Sequence, residues 1–136
     1  MPVLYVDYCE SYSGGEIRAG QENKDWPDYE DEYIDFRITS CHLEKGNAEW
    51  LRQEENVAFK PEIGQKVYIV LVRYTTGSTF GTVYGAWFIA GVYDDENRAK
   101  EVEGKIEAGK WSDSGVWTGF FSSLEEVFVE EFLVEE

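Results

Sequence analysis

Apolar and polar residues alternate along most of the chain. Residues 2–10 read as a strand, with Val3, Tyr5 and Asp7 alternating with Leu4, Val6 and Tyr8 and both faces half apolar. Ser13-Gly14-Gly15 predicts a break after it. Over residues 33–43, Ile34, Phe36 and Ile38 alternate with Asp35, Arg37 and Thr39, the pattern of a half-buried antiparallel strand, and Gly46-Asn47 marks a turn. Residues 48–59, with Trp50, Leu51 and Val57, fit a short helix or an edge strand equally. Pro61 and Gly64 bracket a turn ahead of residues 66–74. That run is β-branched, aromatic and nearly continuous, so a central strand buried on both faces is predicted. Thr75-Thr76-Gly77-Ser78-Thr79 predicts a turn into a returning strand over 83–93, through Ala86, Trp87, Phe88, Ile89 and Val92.

The period changes after Tyr93. Asp94-Asp95 is predicted to cap a helix over residues 95–107, with Ala99, Val102 and Ile106 as a narrow apolar stripe. Glu96 with Lys100 and Glu101 with Lys105 are favourable i,i+4 pairs. Gly104 weakens the helix by about 1 kcal/mol relative to Ala, so packing must hold it. In the tail, residues 124–134, Val127 and Val129 alternate with Phe128. Glu130-Glu131 then interrupts the phase before Phe132 and Val134, which predicts a strand with a bulge there; a final helix is the alternative. These elements add up to one α+β domain over residues 1–136, an antiparallel sheet of about five strands packed against one helix near residues 95–107.

Composition narrows the class. The chain has 136 residues, 43% of them hydrophobic and 16% aromatic, too many for a disordered acidic tail. No stretch approaches 18 apolar residues, so no membrane span is expected. The start, Met1-Pro2-Val3-Leu4-Tyr5-Val6-Asp7, lacks the basic region of a secretory signal, and a cytoplasmic protein is expected. Cys9 and Cys41 do not make a disulfide framework and are expected as two small core residues.

Candidate chemistry is sparse. His42, the single histidine, follows Cys41 directly, and neighbours on a strand point to opposite faces, so they cannot act as a nucleophile–base pair. His42 reads as a surface or packing residue. Two Cys and one His without CxxC spacing do not make a zinc site. Thr76-Gly77-Ser78-Thr79-Phe80-Gly81 is glycine-containing, but it joins two strands and lacks the following Lys-Ser or Lys-Thr of a phosphate loop. Asp25, Asp28, Glu30, Asp31 and Glu32 offer hard oxygens for calcium but do not fit the EF-hand spacing. The expectation is a non-enzymatic protein with no catalytic residues, no metal and no cofactor.

Charge is the informative feature. Lys and Arg number 12 against 28 Asp and Glu, a net charge of −16. The acids cluster: residues 22–35 hold seven acids and one base, and residues 111–136 hold seven acids and no base. Such a surface is expected to meet no nucleic acid directly and no membrane, but a protein with a basic, nucleic-acid-binding surface. At one charge per about 1.7 Å, 16 charges match about 27 Å of duplex. That is about twice the radius of gyration of a globule this size, about 14 Å. The expected partner-binding residues are Asp25, Asp28, Glu30, Asp31 and Glu32 with Trp26 and Tyr29 in the first cluster. In the second they are Glu126, Glu130, Glu131 and Glu135. Trp87, Trp111 and Trp117 form the alternative, an aromatic pocket for a small molecule or nucleotide signal. A carbohydrate- or cation-binding domain is the second alternative. The oligomeric state stays open, a homodimer included.

The run from Val67 through Arg73-Tyr74-Thr75-Thr76-Gly77-Ser78-Thr79-Phe80-Gly81 resembles a hairpin of small acidic bacteriophage-encoded proteins with a T-G-[DS]-[ST]-F-G turn. Their W-x-G-[YF]-F-x-x-L-E segment is matched by Trp117-Thr118-Gly119-Phe120-Phe121-Ser122-Ser123-Leu124-Glu125. The resemblance covers about residues 66–134 and carries no catalytic residues. It carries no known function; a phage origin favours, by analogy of class, an inhibitor of host defence, and the charge density makes a DNA mimic the expected form of it.

Overall fold

A computed structural model of the chain describes residues 2–14, 32–46, 51–78, 81–108 and 122–136. Among these residues the elements are β1 (Val3–Gly14), β2 (Glu32–His42), β3 (Arg52–Asn56), β4 (Lys66–Ser78), β5 (Gly81–Tyr93), α1 (Glu96–Glu107) and β6 (Ser122–Glu135). The sheet therefore has six strands and not about five, because the ambiguous stretch before Pro61 contributes the short edge strand β3. β1 runs through Ser13 to Gly14 because β2 pairs with it along that whole length. β4 continues to Ser78, which pairs with Gly81, so residues 75–78 of the predicted turn belong to the strand.

The strand order is β3-β1-β2-β5-β4-β6, with β2 also pairing β6. β5, β4 and β6 form a three-stranded antiparallel group, with β6 returning after the helix to pair β4. β2 meets that group in parallel at both ends: Glu32 and Tyr33 pair Val83 and Tyr84 of β5, while Cys41 and His42 pair Val134 and Glu135 of β6. The sheet is mixed, which corrects the all-antiparallel expectation. Alternation records which face a residue occupies, and two-residue parallel bridges leave no trace in it. Bridged at both ends, β2 carries β1 and β3 over one face of β4.

β4 is buried on both faces, as its continuous apolar run requires. Val67, Ile69 and Leu71 join Leu4, Val6, Phe36, Ile38, Ile89, Val92 and Val134 in the main core. Val70 and Val72 point the other way and meet Ala99 and Ile106 of α1 together with Val127. The helix starts where the sequence says it should. Asp95 is extended (φ −122°), and its side chain accepts from the Asn97 N–H at 2.9 Å.

The break in β6 lies elsewhere than predicted. Pairing with β4 is regular from Glu126 opposite Arg73 to Leu133 opposite Lys66, so Glu130-Glu131 carries no bulge. The extra residue is Glu125, between Leu124 opposite Tyr74 and Glu126 opposite Arg73. Both faces of β6 are apolar because both are covered: Val127 and Val129 lie on the helix side, Phe128, Phe132 and Val134 on the main-core side. A second irregularity, at Thr39 in β2, reverses the alternation before Cys41. Cys41 is thereby fully buried and His42 faces outward, whereas Cys9 is exposed, contrary to the expectation of two core cysteines.

Candidate interaction surface

Asp25, Trp26, Asp28, Tyr29, Glu30, Asp31, Trp111 and Trp117 lie outside the described residues. Glu32 opens β2, where its backbone pairs with both Gly14 and Val83. The acids of the second cluster lie along β6. Alternation divides them: Glu126 and Glu130 share the main-core side of the strand, Glu131 and Glu135 the helix side. Glu126, Glu131 and Glu135 are exposed, and Glu130 is half-buried. Burial pushes the Glu130 carboxyl above its usual range, and the positive charge of Arg73 opposes that shift. Arg73 stands opposite Glu126 but points its guanidinium inward, where Nη2 donates to the Phe36 carbonyl.

Glu125 escaped the sequence reading, and the bulge explains its placement. Its carboxylate accepts from the Thr75 hydroxyl at 2.7 Å and from the Gly85 N–H at 2.7 Å, so it clasps β4, β5 and β6 together. Gly85 has φ +76°, and a Cβ there would collide with the Ile34 carbonyl oxygen where β2 crosses β5. Glu125 closes the W-x-G-[YF]-F-x-x-L-E segment and Thr75 directly precedes the T-G-S-T-F-G turn.

Trp87 belongs to an aromatic stack. Its ring lies on Phe36 with centroids 3.6 Å apart and planes 15° from parallel, with Tyr8 at 5.0 Å, and its indole N–H donates to Glu10. Beside that stack is an open depression of about 320 Å³ lined by Cys9, Glu10, Ser11, Asp35 and Arg37, all polar and of mixed charge. The pocket alternative needs Trp111 and Trp117 as well, outside the described residues.

The densest polar network was not foreseen. Asp7, on the outward face of β1, is gripped by Arg52 of β3: Nε donates to Oδ1 and Nη2 to Oδ2 at 2.9 Å. His42 Nε2 lies 3.0 Å from Asp7 Oδ2 and 2.8 Å from Ser40 Oγ, and Nδ1 lies 2.8 Å from the Glu136 carbonyl oxygen. A nucleophilic triad needs Ser and Asp on different ring nitrogens, so that one receives the proton while the other orients the ring. Here both crowd the same nitrogen, which makes a structural clasp of β1, β2 and β3. Hydrogen bonds from Arg52 hold the Asp7 carboxyl below its usual range. Nothing in the spacing linked Asp7 to Arg52, 45 residues later.

Glu55, on β3 opposite Leu4, is the other perturbed acid: burial raises it to about 7, against a hydrogen bond from Gln53. Among the described residues no group of His, Cys, Asp and Glu is placed to hold a metal ion, and no helix is long and apolar enough to cross a membrane. A scan against models of protein families finds no match to this chain, and searches of curated proteins and of solved structures find none either.

Proposed function

We propose that this chain is a non-enzymatic acidic interaction protein that occupies the basic, nucleic-acid-binding surface of a protein partner in the cytoplasm. The observation behind this reading is β6. It is a 14-residue strand with no basic residue, and Glu126, Glu131 and Glu135 stand exposed along it. Arg73 of β4, opposite Glu126, turns its guanidinium in to the Phe36 carbonyl. Lys66 stands opposite Leu133, near the far end of the strand. The net charge of −16 makes self-repulsion a standing cost of this surface, which a charged partner would relieve. That the partner belongs to a host defence system, and that the chain is its phage-type inhibitor, rests on the resemblance to small acidic phage proteins.

The test is capture from a bacterial lysate with the wild-type chain and a Glu126→Lys, Glu131→Lys, Glu135→Lys variant. The expected partner binds nucleic acid, is displaced by competing duplex DNA, and is not captured by the variant. Capture that survives both the competitor and the charge reversal sinks this reading.

A further inference from the structure

Among the described residues, the outer edge of β6 has no strand beside it over most of its length. β6 pairs β4 from Ser122 to Leu133, and on its other side only Val134 and Glu135 are bridged, to Cys41 and His42. The register identifies the backbone groups left over. Val134 bonds toward the β4 side, donating to the Gln65 carbonyl at 2.9 Å and accepting from the Gly64 N–H at 2.8 Å. The Glu135 carbonyl faces the opposite way and accepts from the Leu43 N–H at 2.9 Å. Bonding direction alternates along a strand. Phe128, Glu130 and Phe132 therefore bond to β4, while the N–H and C=O groups of Val127, Val129 and Glu131 point away from it. Among the described residues no strand pairs with them.

We infer that this edge takes an extended segment of the protein partner as an added antiparallel strand, one in which Lys or Arg alternates with β-branched apolar residues. The inference rests on the reading of β6 as the binding strand and deepens it. The side chains select the occupant. One face of β6 presents Glu126, Phe128 and Glu130, the other Val127 and Val129. An incoming strand meets them best with cations on the first face and apolar side chains on the second. Glu130 is half-buried and makes no ion pair among the described residues, so an added cation would relieve it. A second copy of this chain is the wrong occupant. Residues 111–136 contain no base, so β6 paired with β6 sets acids against acids or apolar residues and never against a cation. The charges that block self-pairing are the same ones that admit a basic strand.

The test uses the full chain and a blocked octapeptide of alternating Lys and Val. Three relatives serve as controls: one with Glu in place of Lys, one N-methylated at every Val, and one N-methylated at every Lys. In antiparallel pairing the residues opposite Val127 and Val129 turn their N–H groups to β6, and these are the peptide's Val residues. N-methylation at Val should thus weaken binding at least about tenfold, N-methylation at Lys should not, and the Glu peptide should not bind. Amide exchange supplies a second readout: Val127, Val129 and Glu131 exchange freely alone and slow with the peptide, while Phe128 and Glu130 are protected throughout. Equal affinity for both N-methylated peptides overturns the added strand and leaves the charge reading standing. Protection of the Val127, Val129 and Glu131 amides in the free protein overturns it too. Binding of the Glu peptide as tightly as the Lys peptide overturns the charge reading itself.

Discussion

Glu55 is a carboxylate that the folded chain prefers protonated. Burial raises it from 4.5 to about 7. The stability it gives is full below pH 4.5 and is lost as pH rises through 7. Glu55→Gln should therefore raise the melting temperature at pH 8, with the gain shrinking toward zero at pH 4.5; thermal melts across that range check it, and a gain that does not vary with pH contradicts the account. Asp7 has the opposite sign. Lowered from 3.8 by Arg52, it stabilises the fold above pH 3.8 and loses that effect as pH falls through its folded value. The cysteines divide similarly by environment. Burial, with Asp7 and Glu135 nearby, pushes the Cys41 thiol up to about 12, so a maleimide should label exposed Cys9 in the native protein and Cys41 only after unfolding. None of these three environments could be read from the chain: each depends on a partner or cover supplied by a distant element.

At the scale of elements, legibility followed burial. β4 was plain because a strand covered on both faces must be continuously apolar, and α1 was plain because its cap and its stripe agree. Asp95→Ala should cost about 1 kcal/mol, read from denaturant midpoints, because the Asn97 N–H loses its acceptor. β6 misled for a physical reason. Its Glu130-Glu131 pair looked like a phase break only on the assumption of one buried face; with helix on one side and main core on the other, the ladder needs no interruption there. The true bulge, at Glu125, is fixed by a clasp to Gly85 and Thr75 that no local pattern announces. Gly85→Ala tests that corner: it meets both a positive φ and the Ile34 carbonyl, and a loss above about 1 kcal/mol is expected.

Across the whole molecule, the acid excess was visible in the sequence, but which acids stand free was not. Glu125, Asp7 and Glu10 are held by Thr75, Arg52 and Trp87, and Glu130 is half-buried. Along β6, Glu126, Glu131 and Glu135 are exposed, with Tyr68 hydrogen-bonded to Glu131. Reversing those three to Lys should leave stability within about 0.5 kcal/mol per site. Partner affinity should fall steeply between low salt and half-molar salt, since exposed charges are screened over about 8 Å at physiological ionic strength. Affinity that stays flat across that range would leave charge without a role in recognition.

The two bridges of β2 also bear on how the chain folds. β4, β5, α1 and β6 are consecutive elements that pack together, with a small core of their own around Val70, Val72, Ala99 and Ile106. Residues 3–56 supply β1, β2 and β3, which close the main core only when β2 docks at both ends, against strands far along the chain. Such distant pairing is slow, because loop entropy is lost before the contacts form. The helix-side core should therefore form early and the bridges late. Val72→Ala is expected to slow refolding, whereas Cys41→Ala, at the β2–β6 bridge, should mainly speed unfolding. Chevron plots of the two variants would separate these cases, and the reverse assignment would place the β2 bridges in the folding nucleus.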